Sequence, residues 1–226
     1  MKNNILIIVA HADDEVLGCG GTIAKHKRAS DHVDLIILTN SAASQEGKSI
    51  ENRLRELELS CKILKIDTFK MLNFEDNQLD KYPLLEIIKE TQKILGKTTY
   101  NLVYTHSIND LNIDHRITNQ VTLTLFRPLP NTKTPNILTF DIPSSVEYQS
   151  PNQLKIEKNY YSLLSKEDLD LKLKALEAYK SESNDFPHPR SSEYLEIQAK
   201  HEGSRCGNEL AESFYIERMI STNKND

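Results

Sequence analysis

Ile5 to Thr22 reads ILIIVAHADDEVLGCGGT, and the parsing of that stretch decides the fold. Its first part, Ile5 to Ala10, is apolar and largely β-branched. So short a run reads as a strand buried on both faces of a parallel sheet. It gives way abruptly to His11, Asp13, Asp14 and Glu15. Open α/β sheets bind ligands just beyond the carboxyl ends of their strands. One imidazole and three carboxylates therefore arrive where such sheets do chemistry. Neighbouring anions repel unless a cation or protons offset them, and imidazole with carboxylate suits zinc or another divalent first-row metal. Asp13 and Asp14 leave the backbone in different directions, so one can coordinate with His11 while the other stays free as a base. The plainer alternative is a hydrogen-bonded turn in which Asp14 caps the next helix.

A catalytic metal needs more than two protein ligands. The best further source is Asp110-Leu111-Asn112-Ile113-Asp114-His115-Arg116, which follows a second apolar run, Asn101 to Thr105. Two strand ends of this kind give two histidines and one aspartate with a position open for water, the catalytic rather than the structural pattern. Metal-bound histidines commonly give their other ring N–H to a carboxylate, a role open to Asp114; the alternative for Asp114 is a helix N-cap.

At these residues the chain resembles a known family. Ala10-His11-Ala12-Asp13-Asp14-Glu15 resembles the AHPDDE signature of the LmbE-like or PIG-L-like zinc deacetylases, and Asp114-His115 resembles the second half of their HPDH signature. Weaker correspondences are Arg53 with Glu56, the segment His188-Pro189-Arg190-Ser191, and Ala211-Glu212. The resemblance implies His11, Asp14 and His115 as zinc ligands, Asp13 as general base, and Arg53 as a contact to a sugar. It implies hydrolysis of the amide of an N-acetylated amino sugar or sugar conjugate, with release of acetate. The chain departs from the pattern at Ala12, in place of proline, and at Asn112, in place of the first histidine of HPDH. The missing imidazole leaves its electrophilic role to His106, Asn112 or His188. His188 lies between Pro187 and Pro189 and precedes Arg190, so a stiff loop presents a histidine and an arginine suited to an oxyanion or an anionic substrate group. The sites expected are thus Asp13 and His188 for catalysis, His11, Asp14 and His115 for metal, Arg53, Asn112 and Arg190 for substrate, and Asp114 behind the ligands. The rival readings are a metal-dependent hydrolase of another acyl amide and a non-catalytic sugar- or nucleotide-binding module.

The 226 residues, 38% hydrophobic and 27% charged, fit one globular domain over 1–220 with a loose tail at 221–226. No apolar run approaches the ~20 residues of a membrane helix. A net charge of −5 argues against a nucleic-acid surface. Cys19, Cys61 and Cys206 are isolated and odd in number, and no leader is evident, so a cytoplasmic protein is expected. A homo-oligomer is compatible with these features.

Strand and helix alternate along the chain, which predicts βαβ units and a Rossmann-like, mostly parallel sheet with helices on both faces. Strands are expected at Val33–Thr39, Asp67–Leu72, Asn136–Asp141 and Asn159–Leu164. Helices are expected from Gly18 to Ala29, Ile50 to Leu64, Tyr82 to Leu95, His115 to Phe126, Lys166 to Lys180 behind Ser165, and Ser191 to His201. Ser41 to Lys48 reads as a loop beside the crevice. Gly18, Gly20 and Gly21 lack the GxGxxG spacing, and Thr39-Asn40 stands where an acid would hold a ribose. Close packing of helix on sheet is the better reading of those glycines.

Overall fold

Alternate residues of the first strand feed two different cores. Ile5, Ile7 and Val9 join one apolar cluster, while Leu6 and Ile8 join another. A strand whose two faces are both covered cannot carry polar residues on either, which accounts for the unbroken apolar run. The computed structural model describes residues 2–41, 49–150, 152, 156–180, 182 and 184–221. The expected loop at 41–48 lies outside them except for Ser41, and so does the expected tail except for Ser221.

The strands are β1 (Asn4–Val9), β2 (His32–Thr39), β3 (Thr68–Phe74), β4 (Leu102–His106), β5 (Asn136–Phe140), β6 (Tyr160–Leu163) and β7 (Ala211–Arg218). The helices are α1 (Asp14–Arg28), α2 (Ile50–Leu64), α3 (Leu84–Leu95), α4 (Ile113–Leu125), α5 (Lys166–Leu176) and α6 (Ser192–Arg205). One sheet runs in the order β3-β2-β1-β4-β5-β7-β6, parallel through β5 and antiparallel at β7 and β6. Residues from α1, α2 and α5 cover one face, and residues from α3 and α4 cover the other. Strand order reverses between β1 and β4, so the crevice outside their carboxyl ends is the switch point where such sheets bind ligands. Among the described residues no helix is long and apolar enough to cross a membrane.

Local signals place several boundaries. Ser49, Ser165 and Ser191 cap α2, α5 and α6, each accepting a backbone N–H, and Ser165 completes a capping box with Asp168. Several expectations shift, and the last helix runs on to Arg205 rather than His201. The first helix opens at Asp14, four residues before Gly18, so Asp14 and Glu15 lie in its first turn, where the helix dipole favours anions. The fifth helix ends at Leu176 rather than Lys180. Strand β7 was not expected at all; it slots between β5 and β6 and carries Glu212.

Helix α1 is broken at Cys19, whose φ of −149° is not helical. The break separates the Gly21 N–H from the Leu17 carbonyl, which an unbroken helix would pair. Glu212 accepts the N–H groups of Gly21 (3.0 Å) and Thr22 (2.7 Å). Lys172 of α5 donates to the Leu17 carbonyl (3.0 Å) and to Glu212 (2.7 Å). A buried ion pair thus replaces the missing backbone bond on both sides. The glycines do pack as expected: a Cβ on Gly18 would lie 2.2 Å from the Phe140 ring, and one on Gly21 would lie 2.6 Å from Leu164. Alanine ordinarily stabilises a helix interior relative to glycine. Gly18→Ala should instead cost about 1–3 kcal/mol, because the buried Phe140 ring must move, and a urea melt of the variant checks this.

Candidate active site

The turn after β1 is closed by capturing each of its backbone donors. His11 N–H goes to Asp14 Oδ2 (2.8 Å), Ala12 N–H to Ser41 Oγ (2.9 Å), Asp13 N–H to Glu15 Oε2 (3.0 Å) and Asp14 N–H to the His11 carbonyl (3.4 Å). Asp13 sits at φ 119°, ψ −27°, a left-handed conformation that side-chain-bearing residues avoid. The turn sets His11 and Asp14 beside His115, which the first turn of α4 brings in from the neighbouring strand end.

His11 Nδ1 stands 3.2 Å from His115 Nε2 and 3.3 Å from Asp14 Oδ2, and His115 Nε2 stands 3.5 Å from Asp14 Oδ2. Ligands about 2.0–2.1 Å from a tetrahedral metal lie about 3.3 Å apart, so this triangle has the size of one face of a zinc tetrahedron. Asp14 Oδ1 is buried without a hydrogen-bond partner among the described residues. The three side chains therefore fit a cation by spacing, donor type and an unsatisfied oxygen. Their other nitrogens are held by carboxylates: His11 Nε2 meets Asp76 Oδ1 (3.0 Å) and Asp114 Oδ2 (3.2 Å), and His115 Nδ1 meets Asp110 Oδ2 (2.9 Å). Such partners fix the tautomer and raise ligand basicity.

Electrostatics point the same way. Burial alone would lower the pKa of both imidazoles. The carboxylates of Asp114, Asp14 and Asp76 outweigh it at His11, which is held well above its ordinary value. Asp14 and Asp110 do the same at His115, raising it to about 9. Burial pushes Asp14 up, but His115 and His106 prevail and hold it well below the carboxylate range. Burial lifts Asp13 to about 7, against the pull of the Arg190 guanidinium. His106 is lowered to about 4 by burial and by His115; its Nε2 accepts the Ala10 N–H (3.0 Å) and its ring stacks on His115 at 4.1 Å. It serves as a structural neighbour of the cluster.

The remaining expected residues fall into two groups. Arg190 Nη1 reaches Asp13 Oδ2 (3.2 Å) and Glu182 Oε2 (3.4 Å), and its Nε donates to Ser144 Oγ (3.0 Å). Arg53 is buried, and its guanidinium is engaged by the Ser41 carbonyl, Glu56 and Glu182. His188 is half-buried, and its Nδ1 accepts the Arg190 N–H (3.1 Å). Asn112, not Asp114, is the N-cap of α4: its Oδ1 accepts the Asp114 N–H (2.8 Å), and its Nδ2 donates to Asn77 (2.9 Å). Asp114 instead accepts the Leu79 N–H at Oδ1 (3.0 Å) and faces His11 with Oδ2. Glu15 turns away from the cluster toward Ser60 and Tyr179. Asp76 and Asp110 were not expected as partners of the imidazoles. Asp76 follows the end of β3 by two residues, so the strand-end rule that singled out His11 applies to it too.

A mostly parallel sheet with a buried His–Asp cluster at its switch point defines an α/β protein with a candidate metal site. The sequence profile described as GlcNAc-PI de-N-acetylase (PIG-L) matches residues 6–126, more than half of the chain, and the chain belongs to that family of deacetylases. The deacetylase YaiS of Escherichia coli (strain K12) is 28% identical over 185 residues, covering 80% of this chain and 92% of that protein. N,N'-diacetylchitobiose deacetylase from Pyrococcus horikoshii superposes with a TM-score of 0.76 at 25% identity, over 95% of this chain and 83% of its own. The conserved protein TT1542 from Thermus thermophilus superposes with a TM-score of 0.76 at 20% identity, over 99% of both chains, which speaks to the fold alone.

Removing a carboxylate behind a metal-binding imidazole typically weakens metal binding 10–100-fold. Asp110→Asn should weaken zinc binding by about that factor while leaving the far-UV spectrum unchanged, as read by competition with a chromophoric chelator.

Proposed function

We propose that the protein is a zinc-dependent hydrolase that removes the acetyl group from an N-acetylated amino sugar or sugar conjugate. The observation that carries this is the triangle of His11 Nδ1, Asp14 Oδ2 and His115 Nε2, with edges of 3.2–3.5 Å, beside a carboxylate raised to about 7. His11, Asp14 and His115 would hold the metal. A zinc ion there supplies Lewis acidity, which acidifies water and polarises a carbonyl. Family membership and the diacetylchitobiose deacetylase support the sugar acetamide as the group attacked.

The chain's own residues divide the remaining work. Asp13 takes the proton of the attacking water, and a base near neutrality suits that task. Arg190 holds its carboxylate at Oδ2, so the proton goes to Oδ1. Glu182 spans Arg53 and Arg190, which makes Arg53 a second-rank support for the base as well as a contact for substrate. His188 accepts the Arg190 N–H at Nδ1, which leaves the ring proton on Nε2, the tautomer able to donate to an oxyanion or to the leaving nitrogen. That fills the role vacated at Asn112, whose side chain is committed to capping α4 and to Asn77.

Elemental analysis of the purified chain beside His115→Ala is the first test. About one zinc per chain, lost in the variant, is expected, with acetate released from one or more members of an N-acetyl sugar panel. A chain that takes up no metal on adding zinc would sink the hydrolase and favour a binding module. Asp13→Asn should lose about 10²–10⁴-fold in kcat while keeping its metal, and near-normal turnover would remove Asp13 from the mechanism.

A further inference from the structure

The conformation of Asp13 is costly, and the chain keeps it without a glycine. A non-glycine residue in a sparsely populated left-handed region costs about 1–3 kcal/mol and persists only where its surroundings over-determine it. At φ 119°, Asp13 is such a residue, and its own N–H is held by Glu15 Oε2 at 3.0 Å. The other oxygen of Glu15 is fixed from two further elements. Tyr179, just beyond α5, donates to Oε1 at 2.6 Å, and Ser60 of α2 donates to it at 3.1 Å. Glu15 and Ser60 have no solvent exposure, nor has Tyr179. Glu15 faces away from the metal-binding triangle, so the cluster does not use its charge. What it does is tie the backbone of one turn to α2 and to the segment that follows α5.

We propose that Glu15 is a positioning residue: anchored by Tyr179 and Ser60, it clamps the Asp13 backbone in its strained conformation and so sets the direction of the Asp13 carboxylate. The catalytic half of this statement rests on Asp13 being the base; the clamp itself does not. The carboxylate is suited to the task because it accepts three hydrogen bonds at once, one from the turn and two from the anchors. Releasing it lets the peptide between Ala12 and Asp13 rotate toward an unstrained region and carries the Asp13 side chain with it.

The clamp is tested by two readouts. The first is thermal stability of Asp13→Gly against Asp13→Ala, each made with Glu15 intact and with Glu15→Ala. Glycine tolerates φ 119° and alanine does not. With Glu15 intact the glycine variant should melt about 2–4 °C above the alanine variant, and without Glu15 that advantage should vanish. An equal advantage in both backgrounds overturns the proposal. The second is steady-state kinetics of the zinc-loaded chain on its best N-acetyl sugar. Glu15→Ala should lower kcat about 10–10²-fold with KM and zinc content unchanged, and Glu15→Gln, which keeps an oxygen for the Asp13 N–H, should recover most of the loss. A kcat that survives Glu15→Ala, or one that falls only together with zinc, overturns it. Should Glu15→Ala fail to fold, Tyr179→Phe takes its place in both arms with the same directions expected. A wild-type chain that releases no acetate would remove the deacetylase reading, and the melting comparison would still decide the clamp.

Discussion

Four carboxylates and three imidazoles lie buried between neighbouring strand ends, and that charge must be neutralised where it stands. An unpaired buried carboxylate is far more costly than the marginal stability of a domain can bear. The protein's own hydrogen bonds meet part of the demand. Asp114 takes the Leu79 N–H, Asp110 takes the Asn112 N–H, and Asp14 takes the His11 N–H. The rest falls on His11 and His115, whose pKa values the surrounding carboxylates drive up against the effect of burial. A cation held by His11, Asp14 and His115 would meet the same demand, and Asp14 Oδ1 is still without a hydrogen-bond partner among the described residues. The same cluster thus explains the family's motif spacing and the direction of each shift.

A second constraint comes from the turn itself. The N–H groups from His11 to Asp14 are already bonded inside the protein. A turn with no free donor cannot form a backbone oxyanion hole, in which exposed N–H groups stabilise the developing charge. Any such donor must therefore come from outside this turn. Asn112 is committed to its cap, and the His188 tautomer is set by a backbone N–H at Nδ1.

Much of this was legible in the chain because the signals were local. The two-faced apolar run at Ile5–Ala10 announced a central parallel strand, and the strand-end rule drew attention to His11 with Asp13 and Asp14 and to the segment Asp110–Arg116, while the family resemblance selected Asp14 and His115. Ser165 marked the start of α5 as a cap for the same reason. What escaped was set by contacts distant in sequence. Glu15 read as a third anion for the metal, yet its partners lie 45 and 164 residues away. Asp114 and Asn112 are both good caps, and only the position of His11, about a hundred residues earlier in the chain, freed Asp114 for the cluster. Strand β7 is buried over its first half and exposed beyond, a pattern that neither alternation nor a continuous apolar run describes.

The unexpected strand is also what holds the first helix in place. Helix α1 carries Asp14 in its opening turn and breaks at Cys19, where Gly18 lets the backbone approach the Phe140 ring. A broken helix with orphaned groups on both sides is unstable unless partners arrive from elsewhere. Glu212 of β7 and Lys172 of α5 supply them as an ion pair that also satisfies the Leu17 carbonyl. Replacing one member alone would leave a buried charge unpaired, which is more damaging than losing the pair as a whole. The last strand of the chain is therefore coupled to its first motif through one carboxylate. A segment remote from the catalytic sequence thereby satisfies the backbone groups that the break in α1 leaves open.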